Sequence, residues 1–285
     1  MGQSLASTAI VWPRLRLEAR HGQIAAQCIL LAILSRLDFG PSPVQAAVYI
    51  GGALAMDAMR AWATGEASNW KSALSTGLSL SLLLRTHEPA LWIAAPVLAM
   101  GSKWLLRVNG KQLFNPSGFA IVALLSLSPH VWVSPGQWGT RLWLIALAGS
   151  MAFLILSRAG RLDIALTFLA ARATLLVWRA LSLGDPMAVP LHQMQSGALL
   201  IFALFMLTDP RSTPDSRLGR VLFALAVAVV AHLLLFVGQV PEAPFFALIL
   251  VSCVTPLIDR TLPGRRFAWP NAKETETPCV PSPGS

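Results

Sequence analysis

The chain has 285 residues, 55% of them hydrophobic and 12% charged, with a mean hydropathy of +0.61 and a formal net charge of +9. A soluble domain carries about 25% charged residues, so polar surface for a water-facing globule is lacking and a lipid bilayer is the expected solvent. The basic excess does not indicate nucleic acid, because Lys and Arg fall between apolar runs, and three unpaired-looking cysteines (Cys28, Cys253, Cys279) exclude a disulfide framework or a metal cluster.

The lead-in over 1–22 is polar and basic, with Arg14, Arg16 and Arg20, and no cleavage site of the secretory kind follows it. Ten membrane segments are then predicted from apolar runs bounded by charge, Pro and Gly. They are 23–37, 44–62, 71–84, 89–106 and 116–129, followed by 138–157, 162–183, 188–207, 218–238 and 244–259. Several fall short of the roughly 20 residues that a full crossing needs. Trp62, Trp70, Trp104, Trp132 and Trp138 stand near segment ends, as in an interfacial belt. Residues 261–285 read as a disordered cytoplasmic tail.

Charge gives an independent check on the count. With the amino terminus inside, seventeen of the 22 basic residues lie on the cytoplasmic side. These are the three lead-in arginines, then Arg60 and Lys71, then Lys103, Arg107 and Lys111, then Arg158 and Arg161. Arg211, Arg217 and Arg220 follow, and finally Arg260, Arg265, Arg266 and Lys273. Four (Arg36, Arg85, Arg141, Arg179) fall outside, and Arg172 lies within a segment. Both termini are therefore expected in the cytoplasm.

The third segment opens on Ser72-Ala73-Leu74, runs through Thr76-Gly77 and ends at Arg85-Thr86 before Pro89. The eighth opens on Ser196-Gly197-Ala198 and ends at Thr208-Asp209-Pro210. Both are short, start on small residues and stop on a polar pair before proline. They stand five segments apart, which places the two halves in opposite orientations. The expected fold is all-α: a polytopic domain over 23–260 in a 5+5 inverted repeat, with repeats over about 23–129 and 138–259 and shortened helices three and eight.

Two loops concentrate polar residues. In 110–118, Asn115-Pro116 marks a turn whose amide caps the next helix or meets a ligand. In 208–214, Asp209 is a cap or an ion-pair partner of Arg211 or Arg217. Within segments, Asp57, Lys103, Arg172 and His232 are the costly groups; Arg172 needs a partner or water, Arg60 competes for Asp57, and Lys103 can snorkel. No nucleophile–base pair and no paired carboxylates point to hydrolysis.

Three blocks, Ser72-Ala73-Leu74-Ser75-Thr76-Gly77-Leu78, Lys111-Gln112-Leu113-Phe114-Asn115-Pro116 and residues 204–214 (Leu204 to Pro214), come in this order. On them the sequence resembles the NqrB/RnfD family, membrane subunits of sodium-translocating NADH:quinone reductase and of the Rnf electron-transport complex. The resemblance implies a ten-segment inverted repeat and a bacterial cytoplasmic membrane. Family members in those complexes attach FMN to the threonine of a Ser-Gly-Ala-Thr motif; here the stretch from Pro129 to Thr140 lacks it, and Ser196-Gly197-Ala198 is followed by Leu199. Covalent FMN is thus not expected, and the sequence is similar to a divergent, UnbU-like branch. The implied function is a membrane subunit of an electron-transport complex, with a non-covalent flavin (FMN or riboflavin) between segments three and eight. Ser72, Thr76, Lys111, Asn115, Ser196, Thr208 and Asp209 are the expected site residues. A channel or transporter of the same fold, or a membrane anchor or assembly subunit without chemistry, are the other two readings.

Overall fold

The computed structural model describes residues 19–36, 42–134 and 142–267. Arg14, Arg16, Arg141, Lys273, Cys279, most of the lead-in, residues 135–140 of the divergent stretch and most of the tail lie outside the described residues.

Helix occurs at every predicted segment: α1 (Ala19–Arg36), α2 (Pro43–Thr64), α3 (Trp70–Leu83), α4 (Pro89–Leu105) and α5 (Pro116–Leu127). Then come α6 (Leu142–Ala159), α7 (Leu162–Leu183), α8 (Ala188–Met194), α9 (Gly197–Ile201), α10 (Arg217–Phe236), α11 (Ala243–Ser252) and α12 (Thr255–Thr261). The boundaries follow local chemistry. Ser42, Asn115 and Ser216 each accept a backbone N–H at a helix start, and Pro occupies the first turn of α2 and α5. Gly65 and Gly184 close α2 and α7 in the left-handed conformation.

Four segments depart from a simple span, among them segment five, whose helix α5 has only 12 residues. Segment three stops at Leu83, and 14 residues of helix reach only about 21 Å of a hydrocarbon core about 30 Å thick. Segment eight breaks at Gln195–Ser196 with a bend of 48°, and α9 runs on as a π-helical turn over Phe202–Met206. Segment ten also bends by 48°, between α11 and α12, where Pro256 removes a backbone donor. Within the apolar run 244–259, Pro256 is the residue that marks that last break. Among the described residues, α7 and α10 are each long and apolar enough to cross a membrane, and counting each bent pair as one span gives four. Large apolar side chains stand exposed on the helices, among them Trp62, Leu105, Val237 and Leu181. Such a surface belongs in lipid, and the chain is a membrane protein.

The truncated end of α3 is finished by its own neighbours. Arg85 donates to the carbonyls of Ser81 (2.8 Å) and Leu82 (3.2 Å), which the helix end leaves unpaired, and to that of Leu84 (2.9 Å) just beyond it. Strand β1 (Leu84–Thr86) pairs antiparallel with a second short strand, Val131–Val133, placing Arg85 opposite Trp132. Arg85, placed in an outer loop by charge alternation, is thus a buried helix terminator.

Two packing centres hold the helices. Phe202 of the π-helical turn meets Phe168 of α7 (5.4 Å between centroids) and Phe245 of α11 (5.1 Å). Gly77 of α3 lies directly on the backbone of α2 at Tyr49 and Ile50. Between α1 and α3, Gln23 donates to Ser75 (3.2 Å) and Gln27 to Ser79 (2.9 Å), satisfying polar groups within an apolar bundle.

Candidate functional site

Asn115 is the node of the polar cluster. Its Oδ1 accepts from the Ser117 hydroxyl (2.9 Å) and the Gly118 N–H (3.0 Å), which caps α5. Its Nδ2 donates across the molecule to the Met206 carbonyl and to Asp209 Oδ2, each at 3.3 Å. Asp209 Oδ1 accepts from the Arg211 N–H (3.1 Å), and its backbone carbonyl accepts from the Thr213 hydroxyl (2.9 Å). Among the described residues Asp209 forms no ion pair with Arg211 or Arg217, so its partners are an amide and backbone, not the arginines that proximity in sequence suggests.

Ser72, Thr76, Asn115 and Asp209 line one cleft, together with Gln112 and Arg211. Lys103 reaches this region as well, its buried ammonium donating to Ser72 Oγ (2.9 Å) rather than extending to the surface. Asp57 accepts from Ser68 (2.8 Å) and from the Asn69 N–H (2.6 Å), with Arg60 at 3.7 Å. Arg60 competes weakly for it because Glu66 takes the other side of its guanidinium.

The remaining expected site residues lie elsewhere. Thr208 turns its hydroxyl to the Leu204 carbonyl (2.7 Å) in the preceding turn. Ser196 caps α9 and lines a separate cavity with Arg172. Lys111, on the hairpin formed by β2 (Arg107–Val108) and β3 (Lys111–Gln112), bridges Asp215 (3.0 Å) and Asp259 (2.7 Å). The hairpin turns on Asn109-Gly110, both at positive φ. Nothing local in the sequence marks Asp215 and Asp259 as its partners: Lys111 and Asp259 are 148 residues apart.

The 208–216 loop is pinned from α7. Arg161 donates to Thr213 Oγ1 (3.2 Å) and the Pro214 carbonyl (3.1 Å). Burial, with neighbouring Arg220 adding to it, pushes the Arg161 guanidinium below the usual arginine range. Arg220 in turn grips Asp163 (2.6 Å) and the Asp215 carbonyl (3.0 Å).

Replacing Lys111 by methionine is expected to cost about 2–3 kcal/mol, since it leaves two largely buried carboxylates facing each other without their cation. Thermal unfolding in an uncharged detergent checks this. Adding Asp215→Asn and Asp259→Asn should restore most of the loss; no recovery would mean that the triad is not the cause.

The cleft at Asn115 and Asp209 measures about 60 Å³. Pockets that hold drug-sized ligands run to about 300–1,000 Å³, several times the volume of this cleft. Among the described residues no group of three or more His, Cys, Asp or Glu could hold a metal.

Residues 130–268 match the model of the NQR2, RnfD, RnfE family. Relatives named as the D-type component of an ion-translocating oxidoreductase complex are similar to parts of the chain. The protein of Stutzerimonas stutzeri is 40% identical over 77 residues, covering 27% of this chain and 22% of the relative. That of Escherichia coli O7:K1 is 32% identical over 123 residues, 43% of this chain and 34% of the relative. That of Psychromonas ingrahamii is 40% identical over 75 residues, 26% and 21% respectively. The chain thus spans about a fifth to a third of the length of the curated relatives that it matches.

Proposed function

From the match of residues 130–268 to the model of the NQR2, RnfD, RnfE family, we propose that this chain is a D-type membrane component of an ion-translocating oxidoreductase complex. The observation that carries the reading is the contact between Asn115 and Asp209, two polar residues from blocks 94 positions apart. Asn115 belongs to the first half of the membrane domain and Asp209 to the second, so the motif residues form a joint between halves.

In this proposal the ten helical segments cross or enter a bacterial cytoplasmic membrane, with both termini on the cytoplasmic side. The halves are an inverted repeat of five segments each. Its support is the truncation of α3 and the break before α9, at corresponding places in the two halves. The joint at Asn115 then lies at the cytoplasmic end of the domain, among the basic loops.

The small size of the cleft favours a structural version of the subunit role. Ser72, Thr76 and Asp209 can order one or two waters there, while Asn115 and Arg161 hold the 208–216 loop in place. Redox groups would then sit on other subunits, and this chain would supply the membrane frame against which they dock.

Affinity purification of the tagged full chain from native membranes tests the assignment. Peptides of companion oxidoreductase subunits are expected at about one copy per chain. A pure, monodisperse chain with no such companions, from a cell that makes them, would refute it.

A further inference from the structure

The most poorly compensated charge lies away from the joint. Arg172 is the eleventh of the 22 residues of α7 and is 4% exposed. Its Nε and Nη1 meet no hydrogen-bond acceptor, and among the described residues it has no ion pair. Buried guanidinium groups are normally paired, because an isolated charge in a low-dielectric interior is costly. Arg172 faces a cavity of about 450 Å³ at the break between α8 and α9, walled by Leu199, Phe202 and Phe245. The buried Gln193 Oε1, on the same wall, also lacks a partner.

The surroundings decide the sign of the missing partner. Arg179, two turns along α7, is a second cation; it stacks at 4.1 Å on Phe236, next to His232. Glu242 reaches the lining but makes no ion pair with Arg172. A compact ion would satisfy the guanidinium and leave the apolar walls unmatched, since 450 Å³ corresponds to roughly fifteen water volumes.

We propose that this cavity binds an amphiphile with an oxyanion head, carboxylate or phosphate, whose apolar body lies against Leu199, Phe202 and Phe245. Arg172, which lines the cavity, holds the head as a charge-assisted guanidinium–oxyanion pair. The site is separate from the joint at Asn115 and does not depend on the family reading, so each can fail without the other.

The test uses the full chain in an uncharged detergent, with oleate, decyl phosphate and inorganic phosphate as probes and native mass spectrometry as readout. At least one of the two amphiphiles is expected to bind at one per chain, and which one does so identifies the head group. Arg172→Gln should weaken that binding at least tenfold. Inorganic phosphate should bind at least a hundredfold more weakly than the preferred amphiphile. Without ligand, Arg172→Gln should melt no lower than the parent, because it removes a charge that no internal group compensates. Equal binding by parent and Arg172→Gln, binding of neither amphiphile, phosphate as tight as decyl phosphate, or a lower ligand-free melting temperature would each overturn the proposal.

Discussion

Gly77→Leu is expected to prevent the chain from accumulating in membranes, whereas the same change at Gly51 should be tolerated. A Cβ at Gly77 would stand 2.7 Å from the Ile50 Cα and 2.9 Å from the Tyr49 carbonyl oxygen, both rigid parts of α2. Side chains can rotate away from an intruding methyl, but a helix backbone has to move as a whole. Overpacking typically costs about 1–3 kcal/mol and more when backbone is displaced, so Gly77→Ala should lose at least about 2 kcal/mol and Gly77→Leu more. Gly51, on the outer side of α2, has nothing within 4 Å of its added Cβ. There alanine should gain up to about 1 kcal/mol through helix propensity. Melting temperatures of the two alanine variants in the same detergent should move in opposite directions. A fall in both, or in neither, would contradict the close approach of α2 and α3.

Asn115 should be nearly as intolerant, in a way that separates its two tasks. Asn115→Ala removes the cap of α5, worth about 1–2 kcal/mol. It also strands the buried Ser117 hydroxyl and leaves the Met206 carbonyl with only the Asp209 N–H, for a total loss of about 3 kcal/mol. Asn115→Asp keeps an oxygen for Ser117 and Gly118 but loses both donor bonds and sets a carboxylate against Asp209. Asn115→Asp paired with Asp209→Asn exchanges donor and acceptor across the same contact. Its melting temperature should therefore recover towards the parent at neutral pH. If Asn115→Asp melts like the parent, the Asn115–Asp209 contact contributes nothing and the joint between halves is not real.

The position of the helices is legible in the sequence because apolar runs between charges and Pro or Gly mark where a chain can satisfy its own backbone in lipid. The cap at Asn115-Pro116 is legible for the same local reason. Long-range pairings are not. Arg85 reads as an outer-loop cation, yet it finishes α3, because only the truncated helix shows which carbonyls need a donor. Lys111 groups with Asn115 by proximity in sequence, but the hairpin turns it towards Asp215 and Asp259. Thr208, adjacent to Asp209, spends its hydroxyl on its own helix, since a residue at a helix end turns about 100° from its neighbour. Ser196 follows a break that the small residues foretell, while the bend between α11 and α12 rests on Pro256 within an otherwise continuous apolar run.

The assignment to an oxidoreductase complex is tested most directly by a redox-driven ion gradient, measured in inverted membrane vesicles from cells with and without this chain. With the chain present, electron donors should build a gradient; in its absence the gradient should vanish while the companion subunits remain detectable. Re-expression of the parent chain should restore it. A gradient of unchanged size in vesicles that lack the chain would contradict its place in an ion-translocating oxidoreductase complex.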